Sequence, residues 1–338
     1  MKVSVLTESR ADYGIYYPLL QALAHDDNFE LVLIATGMHL SEKHGYTARE
    51  IEFPFKINAH IESDWLIVLG DRRPMLDAAI SAAYHRIPIA HIQGGDRSGT
   101  IDESTRHAIT RFANVHFPCT PESARRLIRM GEESWRIHIV GPLGIYAMSA
   151  QLEGKIAICR EFALDPNCSI ILIIQHPVLT QSESAGMQML STLKACEGYQ
   201  MVVIYPNNDL GSDDMIRVIA DSGVLAYNSL PYLKFLSLLK ACDVVVGNSS
   251  TGLYEAPLLG IPSVNIGTRQ ADREHGNSVE HVGYKTEEIR NAVFYQLVHG
   301  NRVLVNPFKH DVDGVQVILD TLRNTPIDEN LLQKRLTY

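Results

Sequence analysis

Short continuous runs of valine, isoleucine and leucine recur along the chain, and each ends in a polar or glycine-containing loop. Stretches with helical spacing of apolar residues lie between them. In the first half this pattern predicts strands over residues 3–6, 31–35, 65–69, 87–92, 115–117 and 137–140, with a short strand around Phe55. Helices are expected over residues 16–24, 78–84 and 122–130, with another opening at Asp102. Pro18 fits a first helical turn, and Pro88 fits only the start of its strand, because it has no N–H for the ladder. A softer stretch follows over residues 144–167, with one helix near its start. A second series then begins, with strands over 170–174, 201–205, 243–246 and 262–266 and helices over 187–195, 215–220, 232–240, 253–259 and 286–298. A last helix is expected over 315–322. Strands that are apolar throughout, rather than alternating, belong to parallel sheets covered on both faces. The pattern therefore predicts an α/β protein of two doubly wound domains, residues 1–165 and 166–310, with 311–338 forming a helix and tail that pack back on the first.

The length of 338 residues, 46% of them hydrophobic, agrees with two domains rather than one. A net charge of −9 and the lack of a basic block argue against nucleic-acid binding. No apolar run approaches the roughly 18 residues of a membrane span, and the start MKVSVLTESR reads as a strand and loop rather than a signal peptide. Cys119, Cys159, Cys168, Cys196 and Cys242 form no C-x-x-C pair, so we expect reduced thiols in a cytoplasmic protein. Neither G-x-G-x-x-G after the first strand nor G-x-x-x-x-G-K-[ST] is present, so no dinucleotide cofactor and no metal is called for.

The polar residues carry the rest. Arg10, Asp71-Arg72, Gln93 to Asp96, His176, Asn207 to Asp209, Ser249-Ser250 and Arg269 all follow the carboxyl end of an expected strand. Ligands of open parallel sheets bind there, and the two carboxyl edges can face one cleft. Gln93-Gly94-Gly95 forms a turn that lets backbone come close to a ligand. In the helix after it, Asp102 and Arg106 stand four apart, as do Glu103 and His107, so each pair shares a face. Two carboxylates, a histidine and an arginine at one helix mouth make an acid–base site. Asn248 to Gly252 runs straight into the expected helix 253–259, whose first N–H groups suit a phosphate. Glu255 lies further on, where a carboxylate can hold two ribose hydroxyls.

Six segments, spread over nearly the whole chain, resemble the hydrolysing UDP-N-acetylglucosamine 2-epimerases of sialic and legionaminic acid synthesis. They are SRADYG from Ser9, LGDR from Leu69, HIQGGDRSGTIDESTRHAIT from His91, QHPV from Gln175, YPNNDLGS from Tyr205 and GNSSTGLYEAPLLGIPSVNIG from Gly247. The resemblance implies a GT-B fold, two Rossmann-like domains with UDP in the cleft. It also implies anti elimination of UDP from the sugar, followed by hydration of the glycal. The site set it implies has Asp71, Asp102, Glu103 and His176 as catalytic groups. Its substrate contacts are Arg10, Arg72, Gln93, Arg106, His107, Asn207, Asn248, Ser249, Ser250, Thr251, Glu255, Arg269 and Arg273. A homodimer or homotetramer with a UDP-sugar as its small-molecule partner is expected. Three positions depart from the family pattern. Gln93 stands where relatives often carry Glu or His, Pro74 where G-D-R-x-E has Glu, and Tyr146 where an Asp often follows a glycine. A glycosyltransferase on the same fold and a non-catalytic UDP-sugar-binding protein are the competing readings. Several acids near C2 favour the epimerase over the transferase, whereas the neutral Gln93 favours the binding protein.

Overall fold

The computed structural model describes residues 1–42, 45–144, 151–300, 306–309 and 312–337; Tyr146 lies outside them. Two compact units divide the chain. Unit 1 comprises Met1–Arg97, Ile101–Ala147 and Phe308–Tyr338, and unit 2 comprises Ser98–Thr100 and Met148–Pro307.

In unit 1, strands β1 (Lys2–Thr7), β2 (Glu30–Ala35), β3 (Phe55–Ile57), β4 (Trp65–Leu69), β5 (Ile89–Ile92) and β6 (Val115–Phe117) form one parallel sheet in the order β3-β2-β1-β4-β5-β6. Helices α1 (Arg10–His25), α2 (Arg73–Tyr84), α3 (Ile101–Phe112) and α4 (Pro121–Arg129) lie between or after the strands. Both faces of the sheet are buried, because alternate residues point opposite ways. Trp65, Ile67 and Leu69 pack with Tyr16, Leu19 and Leu23 of α1. Leu66 and Val68 pack with Met75 and Ala79 of α2 and Ile109 of α3. That two-sided burial is why β4 reads as an unbroken apolar run.

Unit 2 repeats the arrangement. Its helices are α5 (Lys155–Glu161), α6 (Ala185–Ala195), α7 (Ser212–Ser222), α8 (Tyr232–Ala241), α9 (Glu255–Leu258) and α10 (Thr286–His299). Strands β7 (Ile170–Ile174), β8 (Gln200–Ile204), β9 (Leu225–Tyr227), β10 (Val244–Gly247), β11 (Ser263–Ile266) and β12 (Val279–Val282) form a second parallel sheet in the order β9-β8-β7-β10-β11-β12. Both orders are the doubly wound Rossmann order, which reverses direction beside the first strand. The switch points are therefore the carboxyl ends of β1 and β4 in unit 1, and of β7 and β10 in unit 2.

Several expectations are corrected. Residues 137–140 form no strand; a single bridge joins Ile137 to His116. The short β9 and the half-polar β12 carry too weak an apolar signal to be read from sequence. The helix around Pro18 starts at Arg10, so Pro18 lies inside α1, where its missing N–H leaves the Gly14 carbonyl without the usual helical donor. Residues 151–165 belong to unit 2 rather than unit 1. Ile158, Cys159 and Phe162 are buried there, Phe162 against Tyr227, and Lys155 Nζ lies 3.0 Å from Asp243 Oδ1 while Lys234 of α8 binds both Glu153 and Glu161. The chain after Phe308 returns to unit 1, where Ile318 and Leu322 of α11 (Gly314–Asn324) join the α1 side of the core, followed by the short α12 (Glu329–Leu332). All five cysteines are free.

Candidate active-site clusters at the sheet switch points

In unit 1, β1 runs out at Thr7, and the next residues turn back into α1. Ser9 caps that helix, its Oγ accepting from Asp12 N at 3.3 Å, while Asp12 Oδ2 accepts from Glu8 N at 3.1 Å. This is a capping arrangement that uses a carboxylate. Burial raises the pKa of Asp12, and the nearby Arg72 opposes the rise. Glu8 is buried, with Oε1 3.5 Å from Arg72 Nε. Gly37 beside it has φ +56°, a left-handed conformation that favours glycine. Arg10 pairs with Glu50, and burial brings its pKa down to about 10. His39, after β2, is held between Thr7 Oγ1 at 3.0 Å and Thr47 Oγ1 at 2.9 Å. Burial, then the Arg10 charge, lowers its pKa to about 4.

The second strand of this switch point, β4, ends at Gly70 and Asp71. Arg106 reaches Asp71 from α3 with Nη2 and gives Nη1 to the Asp96 carbonyl at 2.9 Å. It is completely buried. Its guanidinium is committed to Asp71 and the Asp96 backbone. The glycine turn is corrected. Gly95 (φ +80°) approaches protein rather than opening to a ligand, since a Cβ there would sit 2.3 Å from the Ser123 carbonyl of α4. Asp96 Oδ1 accepts from Ser123 Oγ at 2.7 Å, fixing the turn to α4. Gln93 is half-buried with φ +62°, and its N–H donates to Phe117 O at 3.0 Å. Glu103 and His107 do meet on α3, at 3.5 Å, and Asp102 is half-buried in the first turn.

In unit 2, an amide clamp organises the switch point. Asn248, fully buried, accepts from His176 N through Oδ1 at 2.7 Å and donates from Nδ2 to His176 O at 2.8 Å. Asn207 N donates to His176 Nδ1 at 3.0 Å. With Nδ1 accepting, the neutral ring carries its proton on Nε2, so this histidine is set up as a donor. Asn207 itself is tied to Asp209 at 2.6 Å. Gly247 (φ +135°) allows β10 to press on β7, because a Cβ would lie 2.1 Å from Ile174 O. The Asn248 carbonyl accepts from Arg269 Nη1 at 3.2 Å and Gln270 Nε2 at 2.9 Å. Gln270 in turn accepts from Arg273, whose guanidinium stands 5.0 Å over the Tyr254 ring.

The expected helix over 253–259 is corrected. Ser250–Gly252 is a 3₁₀ turn, and α9 spans only Glu255–Leu258. The amides of Thr251 to Tyr254 are used inside the turn, by Ser249 Oγ and by the Ser249 and Ser250 carbonyls. The loop thus presents hydroxyls, not the amide fan of a long helix, and one turn of helix has little dipole. Burial raises the pKa of Glu255, opposed by its own backbone amide and then by Arg273.

Glu8, Asp12, His39 and His91 were not singled out from the sequence as candidate site residues. Position was the one available signal for Glu8, since it directly follows β1. Their burial and pairing required the fold. Among the described residues no group of three metal-ligating side chains occurs, and no helix is long and apolar enough to cross a membrane.

Two Rossmann-like domains in tandem, each with polar side chains gathered at its switch point, define a GT-B protein. The fold matches the crystal structure of UDP-GlcNAc 2-epimerase from Neisseria meningitidis bound to UDP-GlcNAc, with TM-score 0.76 and 18% identity, covering 96% of this chain and 100% of that one. A family model described as UDP-N-acetylglucosamine 2-epimerase matches residues 55–311. The UDP-N-acetylglucosamine 2-epimerase of N. meningitidis serogroup B is 31% identical over 325 residues, 86% of each chain. The hydrolysing UDP-N,N'-diacetylbacillosamine 2-epimerase of Legionella pneumophila is 33% identical over 316 residues, 82% of this chain and 84% of that one. The chain belongs to the UDP-N-acetylglucosamine 2-epimerase family.

Proposed function

We propose that the protein is a hydrolysing 2-epimerase, releasing UDP and a free 2-epimer such as N-acetylmannosamine from UDP-N-acetylglucosamine or a sugar-modified relative. The observation that carries this is the chemical division between the two switch points. Unit 1 gathers carboxylates: Glu8, Asp12 and Asp71, with Asp102 and Glu103 on α3. Unit 2 gathers hydroxyl, amide, imidazole and guanidinium donors, which suit a nucleoside diphosphate.

In the proposed first step, Asp71 or Asp102 takes the C2 proton. The C2–H electrons become the C1–C2 double bond, and the C1–O bond breaks toward the β-phosphate. His176 Nε2–H, Arg269 and the Ser249-Ser250 hydroxyls meet the charge that develops on the leaving group. Glu255 takes the ribose hydroxyls. Water then adds across the glycal, hydroxyl to C1 and a proton to C2 on the opposite face. In this reading Glu103, 3.5 Å from His107 on α3, exchanges protons with this step. Arg10, Arg72, Asn207, Thr251 and Arg273 complete the substrate contacts. The enzyme acts in the cytoplasm as a homodimer or homotetramer.

The test is a proton spectrum of the reaction in heavy water, with UDP-N-acetylglucosamine and its N,N'-diacetylbacillosamine counterpart as substrates. The expected result is UDP plus a free 2-epimer with deuterium at C2. A UDP-linked 2-epimer would make the enzyme non-hydrolysing. Retention of the C2 proton during turnover with an acceptor would make it a transferase. No change with either sugar, despite UDP binding, would leave a binding protein.

A further inference from the structure

We infer that His91 is a positioning residue for the reaction, acting through Asp71, and that with Arg106 it fixes the attitude of that carboxylate from both ends; this rests on the catalytic reading of Asp71 given above. His91 lies in the middle of β5 and is completely buried. A polar ring in that position is costly to bury unless both nitrogens are satisfied. Both are. Nε2 stands 2.8 Å from the Gly70 carbonyl, and Nδ1 stands 3.3 Å from Thr110 Oγ1 on α3. A carbonyl only accepts, so the proton is on Nε2 and Nδ1 accepts from the Thr110 hydroxyl. Burial brings the ring's pKa down to about 3, so the neutral tautomer persists across the working pH range.

The Gly70 carbonyl belongs to the peptide that leads into Asp71. Gly70 N donates to Ile92 O at 2.9 Å, so both polar backbone groups of Gly70 are held by β5 or its side chain. Gly70 also has φ +70°, a left-handed conformation that a turn of this shape needs. The peptide plane entering Asp71 is thereby pinned, while Arg106 grips the carboxylate at the other end. Gly94 closes the ring in from above, since a Cβ there would stand 3.0 Å from His91 Nδ1. A carboxylate that takes a weakly acidic proton must meet it within a narrow range of positions. A displacement of about 1 Å costs on the order of 10²-fold in rate. His91 and Arg106 supply that restraint without touching the substrate.

A double-mutant cycle with Asp71→Asn tests this, with turnover, UDP affinity and thermal unfolding measured for each variant. His91→Leu is expected to lower kcat by about 10²-fold while UDP affinity holds. His91→Gln keeps an N–H at similar reach and should recover most of the loss. In the Asp71→Asn background, His91→Leu should cost nothing further, because the group it orients is already gone. A purely structural histidine would be equally costly in both backgrounds, and that result would overturn the inference. So would His91→Leu at the wild-type rate. If Asp71→Asn itself turns over normally, the catalytic reading of Asp71 fails, a separate outcome read from a single variant. Should His91→Leu fail to fold, Arg106→Lys takes its place in the same cycle, since it keeps the charge and loses the two-pronged grip.

Discussion

Gln93 holds a left-handed φ of +62° at the end of β5, a conformation that costs a non-glycine residue roughly 1–2 kcal/mol. Strain kept at a strand's carboxyl end points to a job for the side chain. A neutral amide cannot accept the C2 proton, so in the proposed reaction the position would serve as a hydrogen-bonding contact. Gln93→Glu is expected to leave turnover within about tenfold and to shift the pH–rate profile upward, since like charges raise each other's pKa. A rise by orders of magnitude on UDP-N-acetylglucosamine, seen in steady-state assays, would mean that another sugar is the natural substrate. At this scale the sequence was partly legible. The i,i+4 spacing found the Glu103–His107 contact. The same spacing suggested a pairing of Asp102 with Arg106, whereas Arg106 turns inward to Asp71. Spacing places residues on a helix face, but it does not say which face the sheet will cover.

Helix α3 carries Asp102, Glu103 and His107, and its far end is strapped by the C-terminal tail. Lys334 Nζ donates to the Thr110 and Arg111 carbonyls at 2.8 and 3.3 Å, capping the last turn where a cation suits the dipole. Behind it Glu132, buried, meets Arg111 at 2.8 Å, His116 at 3.1 Å and Lys334 at 2.6 Å. Burial alone would raise the Glu132 pKa, but His116 and then Lys334 hold it at about 2. Arg136, also buried, gives Nη1 to the Leu331 and Asn114 carbonyls at 2.9 and 3.0 Å. Glu132→Gln should therefore destabilise unit 1 by about 3–5 kcal/mol, because removing the carboxylate leaves the mostly buried Lys334 ammonium uncompensated. Urea unfolding followed by tryptophan fluorescence would check it, and a loss below about 1 kcal/mol would show that the cluster reorganises freely. The tail's share of this was not readable beforehand, since Asn330 and Leu331 stand more than 190 residues from Arg136.

The two units should differ in acid. His39, His91 and His116 all belong to unit 1, and burial lowers their pKa values from 6.5 to about 4, 3 and 4. Below about pH 6.5 the unfolded chain binds protons at these three positions, and at the half-buried His138, that the folded unit refuses. Each contributes about 1.4 kcal/mol of lost stability per pH unit until its folded pKa is reached. Stability is therefore fully present above pH 6.5 and falls as pH drops toward 4. Below 4.5, protonation of Glu132 adds to the loss. Both tryptophans, Trp65 and Trp135, lie in unit 1, so their fluorescence reports that unit alone. Its unfolding midpoint should fall steeply between pH 6.5 and 4, and a flat midpoint across that range would refute the neutral assignment of these histidines.

The sequence by itself determined the architecture, because a sheet covered on both faces favours apolar residues along its central strands, and that demand is local and visible. It also placed the polar clusters at strand ends, and with them the family, because loops must follow strands in a doubly wound fold. Tertiary structure alone decided which of those polar residues are exposed to chemistry and which support it. Arg106 turned inward to Asp71 and His91 to the Gly70 carbonyl, the 253–259 segment shrank to a turn with a four-residue helix, and the C-terminal tail became a strap on α3. Each outcome depends on desolvation and pairing between residues distant in sequence. A single chain of letters does not show which charges will be taken out of water together.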